Sequence, residues 1–131
     1  MIGVDANVLI RYLTRDDEGQ YRVAEAFFHE RSPNSPAFVS AIVLAETVWV
    51  LRSSYDIPFK DIVDSVSLLL ESDDFVVEGG EAFASLKDSN GNASQLIDFM
   101  IAQLGLRAGC TFTVTLDKRS ARSVPSMELL Q

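Results

Sequence analysis

The stretch Met1-Ile2-Gly3-Val4-Asp5-Ala6-Asn7-Val8-Leu9-Ile10 decides how the chain is read. Met1 to Val4 is short and apolar with β-branched residues, and it ends on Asp5, the pattern of a strand that delivers a carboxylate at its carboxyl end. Asn7 to Leu13 then reads as a short helix, and Tyr21, Ala24, Phe27 and Phe28 recur at helical spacing through a second one that stops before Pro33. Ala37 to Ser40 reads as a second short strand, with Ser40 capping a helix that runs through Val43, Leu44, Val48 and Leu51. Pro58 opens another helix, with Ile62, Val63, Val66, Leu69 and Leu70 on one face and Lys60, Asp61 and Asp64 on the other. Phe75 to Val77 is the third strand. Glu81 to Lys87 is helical, Asp88 to Asn92 a loop, and Ser94 to Ala108 a longer helix with Gly109 as its left-handed cap. Thr111 to Thr115 reads as a strand reaching Asp117, and Met127 to Leu130 as a final one. Strands alternating with helices through short connections predict an α/β layer fold with a mainly parallel sheet. In such sheets ligands bind beyond the carboxyl ends of the strands, where Asp5 and Asp117 are expected.

The 131 residues are too few for two ordinary domains, so residues 1–131 are read as a single domain. No apolar run reaches the ~18 residues that a membrane span requires. Met1 to Asp5 shows no secretory leader, which sets the expectation of a cytoplasmic protein. One cysteine, Cys110, and one histidine, His29, exclude an internal disulfide and a structural zinc site, so any metal must be held by oxygen. Cys110 is expected to be a small buried hydrophobe and His29 to be exposed. With 11 basic against 19 acidic residues the net charge is −8, which opposes non-specific attraction to a polyanion.

Most acids lie in polar runs and are solvated. Asp5, Glu46, Asp98 and Asp117 stand instead within or at the end of apolar segments: MIGVDANVLI, VLAETVWVL, QLIDFMIAQL and FTVTLDKR. On a helix Glu46 shares its face with Ile42, Val43, Trp49 and Val50, a face expected to be buried, and a buried unpaired carboxylate is costly. One reading gives each acid a local donor: Ser94 or Gln95 for Asp98, and Lys118 and Arg119 for Asp117. The other lets all four converge on an oxygen-lined pocket for Mg²⁺ or Mn²⁺, because a divalent ion turns like-charge repulsion into attraction. Such a pocket suits phosphodiester hydrolysis. Asn7 can hold a carboxylate or a water, or simply hydrogen bond at a helix start; Thr115 can add a hydroxyl, or serve only as a strand former. Trp49 reads as core or as a dimer contact.

Asp5-Ala6-Asn7-Val8-Leu9 with Arg11-Tyr12-Leu13, then Phe38-Val39-Ser40, Leu44-Ala45-Glu46 and Trp49-Val50-Leu51, then Asp98-Phe99-Met100-Ile101-Ala102, Ala108-Gly109-Cys110 and Thr115-Leu116-Asp117-Lys118 together resemble the PIN-domain nucleases, in order and spacing most like VapC-type toxins. The resemblance covers essentially the whole chain. It implies a PIN-like three-layer α/β/α sandwich with a mainly parallel central sheet and Mg²⁺- or Mn²⁺-dependent endoribonuclease activity. It also implies Asp5, Glu46, Asp98 and Asp117 as catalytic, metal-site acids, a homodimer, and neutralisation by a small cognate antitoxin. Ala6 and Leu116 depart from the pattern with no chemical consequence. Gln95 stands where a further acid is common; it can hold a metal water but brings no charge, so a second metal site is expected to be weak or to form only with substrate.

Arg11, Arg15, Lys118, Arg119 and Arg122 are the candidate RNA-binding rim, with ordinary surface solvation as the plainer reading. The acidic surface suits a basic antitoxin tail, whose arginine can enter the carboxylate cluster in place of a metal. Two other functional classes compete. An aspartyl-phosphate phosphotransfer enzyme also places an aspartate after its first strand, but a second aspartate two residues on is then usual, and here that position is Asn7. A non-catalytic interaction module with the same fold is supported chiefly by Gln95.

Overall fold

The computed structural model describes residues 1–89 and 91–131 and divides into two compact units, Met1–Glu78 and Gly79–Gln131. The first contains β1 (Ile2–Gly3), α1 (Ala6–Thr14), α2 (Glu18–His29), β2 (Ala37–Val39), α3 (Ala41–Ser53), α4 (Phe59–Glu71) and β3 (Phe75–Val77). Its three strands are parallel in the order β1-β2-β3, with Ile2 beside Ala37 and Ala37 beside Phe75. Parallel neighbours need crossover connections, which the helix pairs α1–α2 and α3–α4 supply. The expected α/β class with parallel pairing is what the chain forms.

Side-chain caps start α1, α2 and α3. Asp5 has extended backbone and its Oδ1 accepts the Ala6 amide at 2.8 Å, which begins α1 at the end of the first strand. Asp17 accepts the Gln20 amide at 3.0 Å ahead of α2, and Ser40 Oγ accepts the Val43 amide at 3.2 Å ahead of α3. In α4, Ile62, Val63, Val66 and Leu69 are buried and Lys60, Asp61 and Asp64 exposed, as the stripe predicts. Leu9, Val39, Leu44, Leu51, Ile62 and Val66 form the aliphatic core. The rings of Tyr12, Phe28 and Phe75 extend it, with centroids 4.6 Å apart for Tyr12–Phe28 and 5.3 Å for Phe28–Phe75.

Helix α3 corrects one expectation. It buries Ala41, Leu44, Thr47, Val48 and Leu51, and this leaves Ile42 78% and Trp49 70% exposed with Glu46 on the same open side. Glu46 is therefore not a buried carboxylate and Trp49 is not core. The helix is apolar on almost every side, so the face that packs is set by its neighbours α1 and α4 and not by composition.

The second unit contains α5 (Gly80–Asp88), a 3-10 turn (Ala93–Gln95), α6 (Leu96–Arg107), β4 (Thr113–Thr115), α7 (Lys118–Ser123) and β5 (Met127–Leu129). The expected loop from Asp88 to Asn92 includes Asn90, which lies outside the described residues. Strands β4 and β5 are parallel, with Thr113 beside Met127 and Thr115 beside Leu129. Phe83, Leu86, Leu96, Phe99 and Met100 are buried from α5 and α6, and Val124 and Met127 from the α7–β5 segment. Gly109 has φ 99°, the left-handed value that ends a helix, and its amide bonds back to the Leu106 carbonyl at 3.0 Å. The strand begins two residues later than expected. Cys110 follows the turn ahead of it and is exposed, which corrects its expected burial. Helix α7 has six residues and no apolar stripe, so sequence periodicity does not announce it.

Candidate functional site

Each of the four singled-out acids has a definite setting. Asp5 is exposed at the start of α1, and its second oxygen lies 3.4 Å from Asn7 Nδ2, so Asn7 holds the carboxylate as one reading expected. Both residues line a largely apolar cavity of about 430 Å³ with Val8, Arg11, Ala24 and Phe27. Glu46 projects into solvent from α3 in the same unit, with no hydrogen-bonding or ionic partner among the described residues.

In the second unit, Asp98 is half-buried on α6, and Asp117 is exposed at the end of the segment that follows β4. Asp117 is the N-cap of α7: Oδ1 accepts the Arg119 amide at 2.8 Å and the Ser120 amide at 3.2 Å. The Ser120 and Arg119 amides together hold this carboxyl below its ordinary range, because both bonds favour the ionised form. Thr115 Oγ1 accepts the Asp117 amide at 3.1 Å, so its hydroxyl braces the backbone that carries the acid. Asp98 takes its bond from a residue that sequence reasoning passed over: Ser120 Oγ donates to Asp98 Oδ2 at 3.0 Å. The expected local partners, Ser94 and Gln95, are occupied elsewhere. Ser94 bonds Asn92, while Gln95 Oε1 accepts the Asn92 amide at 3.1 Å and Gln95 Nε2 reaches Ser123 Oγ at 3.4 Å.

The expected basic rim divides by what each residue already holds. Arg11 Nη1 contacts both Asp16 oxygens at 3.0 and 3.2 Å and the Tyr55 hydroxyl at 3.1 Å, while its Nε donates to Gln20 Oε1 at 2.6 Å. Tyr55 donates to Asp16 at 2.7 Å and Thr14 does so at 2.9 Å; these bonds, with Arg11, hold the Asp16 carboxyl low. Arg11 thus ties α1 to the α2 start and to the segment after α3. Arg15 pairs with Glu18 at 3.3 Å and lies over the Tyr21 ring at 4.4 Å. Lys118, Arg119 and Arg122 are exposed, and their side chains have no ion-pair partner among the described residues. His29 is exposed, as expected.

The profile of the PIN domain family matches residues 2–125. The chain belongs to the PIN domain family. No curated protein matches it closely enough to refine that assignment. Its fold class is that of a PIN domain, α/β/α with parallel strands, and PIN domains are generally metal-dependent nucleases that use divalent ions. The PIN chain's acids fit such an ion in ligand type: all are hard oxygen donors, and Asp98 and Asp117 each keep one oxygen clear of the bonds just described. Among the described residues, no three His, Cys, Asp or Glu side chains form a ready-made metal group. No helix among them is long and apolar enough to cross a membrane.

Proposed function

We propose that this PIN domain is an endoribonuclease that hydrolyses RNA phosphodiester bonds with Mg²⁺ or Mn²⁺ held by Asp5, Glu46, Asp98 and Asp117. Membership of the PIN family carries the reading, and the all-oxygen character of the four acids agrees with it. When bound, a divalent cation supplies positive charge against the phosphate and acidifies a water. The chain's own residues do the rest. Asn7 holds the Asp5 carboxylate, Thr115 braces the backbone at Asp117, and the α7 amides keep Asp117 ionised.

Lys118 and Arg119 are the RNA contacts this reading favours, because no close ion pair holds them among the described residues, whereas Arg11 and Arg15 are engaged by Asp16 and Glu18. Gln95, with its amide committed to Asn92 and Ser123, has a capping role and a lesser part in metal binding. As in VapC-type toxins, the enzyme acts in the cytoplasm as a homodimer through which residues 1–131 work as one domain, and a small basic antitoxin silences it. A net charge of −8 favours such a basic partner.

The test is incubation of the purified chain with labelled total cellular RNA in Mn²⁺, Mg²⁺ or EDTA. Discrete fragments that require metal support the reading. Intact RNA in every condition, with Mn²⁺ binding retained, favours a non-catalytic interaction module.

A further inference from the structure

Ser120 is 6% exposed, one of few polar residues buried to that degree among the described residues, and both of its hydrogen-bonding donors point at acids of the proposed metal set. Its hydroxyl donates to Asp98 Oδ2 at 3.0 Å and its amide to Asp117 Oδ1 at 3.2 Å. Asp98 comes from α6 and Asp117 from the end of the β4 segment, two elements that share no residue in sequence. One residue on the first turn of α7 therefore holds a carboxylate from each. A buried hydroxyl is stabilised by an acceptor, and here it fixes the rotation of a half-buried carboxylate that has no other hydrogen-bonding partner among the described residues.

We propose that Ser120 is a positioning residue of the site, setting the carboxylate of Asp98 against that of Asp117 so that the two present oxygens to one cation. The inference rests on the proposed metal-dependent activity. Hydrogen bonding to one oxygen stops the carboxylate from turning about its last bond and leaves the other oxygen for a ligand. Without the hydroxyl, that order must be imposed when the cation binds. Partners behind metal-ligating side chains typically contribute about 10- to 100-fold in metal affinity or activity.

Ser120→Ala removes one oxygen at a helix position where alanine is favourable, and the amide bond to Asp117 stays; Ser120→Thr keeps the hydroxyl. The full chain and both variants are titrated with Mn²⁺ by calorimetry, their metal-free melting temperatures are compared, and RNA cleavage is resolved into kcat and KM. Ser120→Ala is expected to weaken Mn²⁺ binding about 10-fold and to lower kcat with KM unchanged, while its metal-free melting temperature stays within ~2 °C of the parent. Ser120→Thr is expected to regain most of the affinity. Parental Mn²⁺ affinity in Ser120→Ala, or a loss that Ser120→Thr does not mend, overturns the positioning role while the nuclease reading stands. A parent chain that neither binds Mn²⁺ nor cleaves RNA overturns both.

Discussion

Thr47 offers a quantitative test of how α3 is packed. Its side chain is 0% exposed, between Leu44, Val48 and Leu51 on the helix face that forms the core, and its hydroxyl has no hydrogen-bond partner among the described residues. A buried hydroxyl without a partner costs about 1 to 3 kcal/mol relative to one left in water. Thr47→Val replaces the hydroxyl by a methyl of similar size, keeps the branch at Cβ and changes helix propensity little. The substitution removes the desolvation cost and adds a buried methyl, so a gain of about 1 kcal/mol is expected, allowing for imperfect fit. For a chain of this length that raises the melting temperature by roughly 3 to 5 °C. Urea unfolding at equilibrium, with Thr47→Ser as a control that keeps the hydroxyl and loses the methyl, measures it. The control should lose stability. If Thr47→Val is also destabilised by ~1 kcal/mol or more, the hydroxyl has a partner and the packing of α3 described above is wrong.

Three further outcomes follow from the site. Asparagine caps a helix about as well as aspartate, so Asp117→Asn should melt near the parent while losing RNA cleavage, whereas Asp117→Ala should lose both; a parental cleavage rate in Asp117→Asn contradicts its role. The Ser120 and Arg119 amides depress the Asp117 carboxyl, so its stabilising contribution is complete above the unfolded value near pH 4 and is lost as pH falls through the lower folded value. At neutral pH the parent and Asp117→Asn should therefore melt together, and toward strong acid the parent should fall below Asp117→Asn, which has no carboxyl to protonate. Charge reversal at Lys118 or Arg119 should weaken RNA cleavage more than it lowers melting temperature, and Arg11→Ala should do the opposite, because Arg11 is spent on Asp16, Tyr55 and Gln20. Equal loss of cleavage and stability at Lys118 or Arg119 removes them from the RNA-binding surface.

The fold was legible where elements carry their own boundaries. Phe75 to Val77 lies between the polar pairs Asp73-Asp74 and Glu78-Gly79, and the strand has those limits. Ser40 and Gly109 mark helix ends through backbone chemistry that needs no tertiary context. Helix α3 was legible as a helix but not in its orientation, because Ile42 and Trp49 are as apolar as the residues that pack. That error carried over to Glu46, whose exposure follows from the same rotation. Helix α7 escaped because six residues, KRSARS, give no periodicity, although an aspartate ahead of a polar turn was a capping signal. Ser120 escaped with it. A serine among charged residues looks solvated, and only the packing of its helix reveals that its hydroxyl faces an acid 22 residues earlier in the chain.

The central claim is that four acids act as one metal-dependent set in RNA cleavage. Single-turnover cleavage of one labelled RNA in Mn²⁺ by the parent chain and by Asp5→Asn, Glu46→Gln, Asp98→Asn and Asp117→Asn tests it, with melting temperatures measured on the same preparations. The account predicts that each variant loses at least about 100-fold in rate while remaining folded, since each removes a charged ligand that the cation requires. A folded variant that cleaves at the parental rate contradicts it.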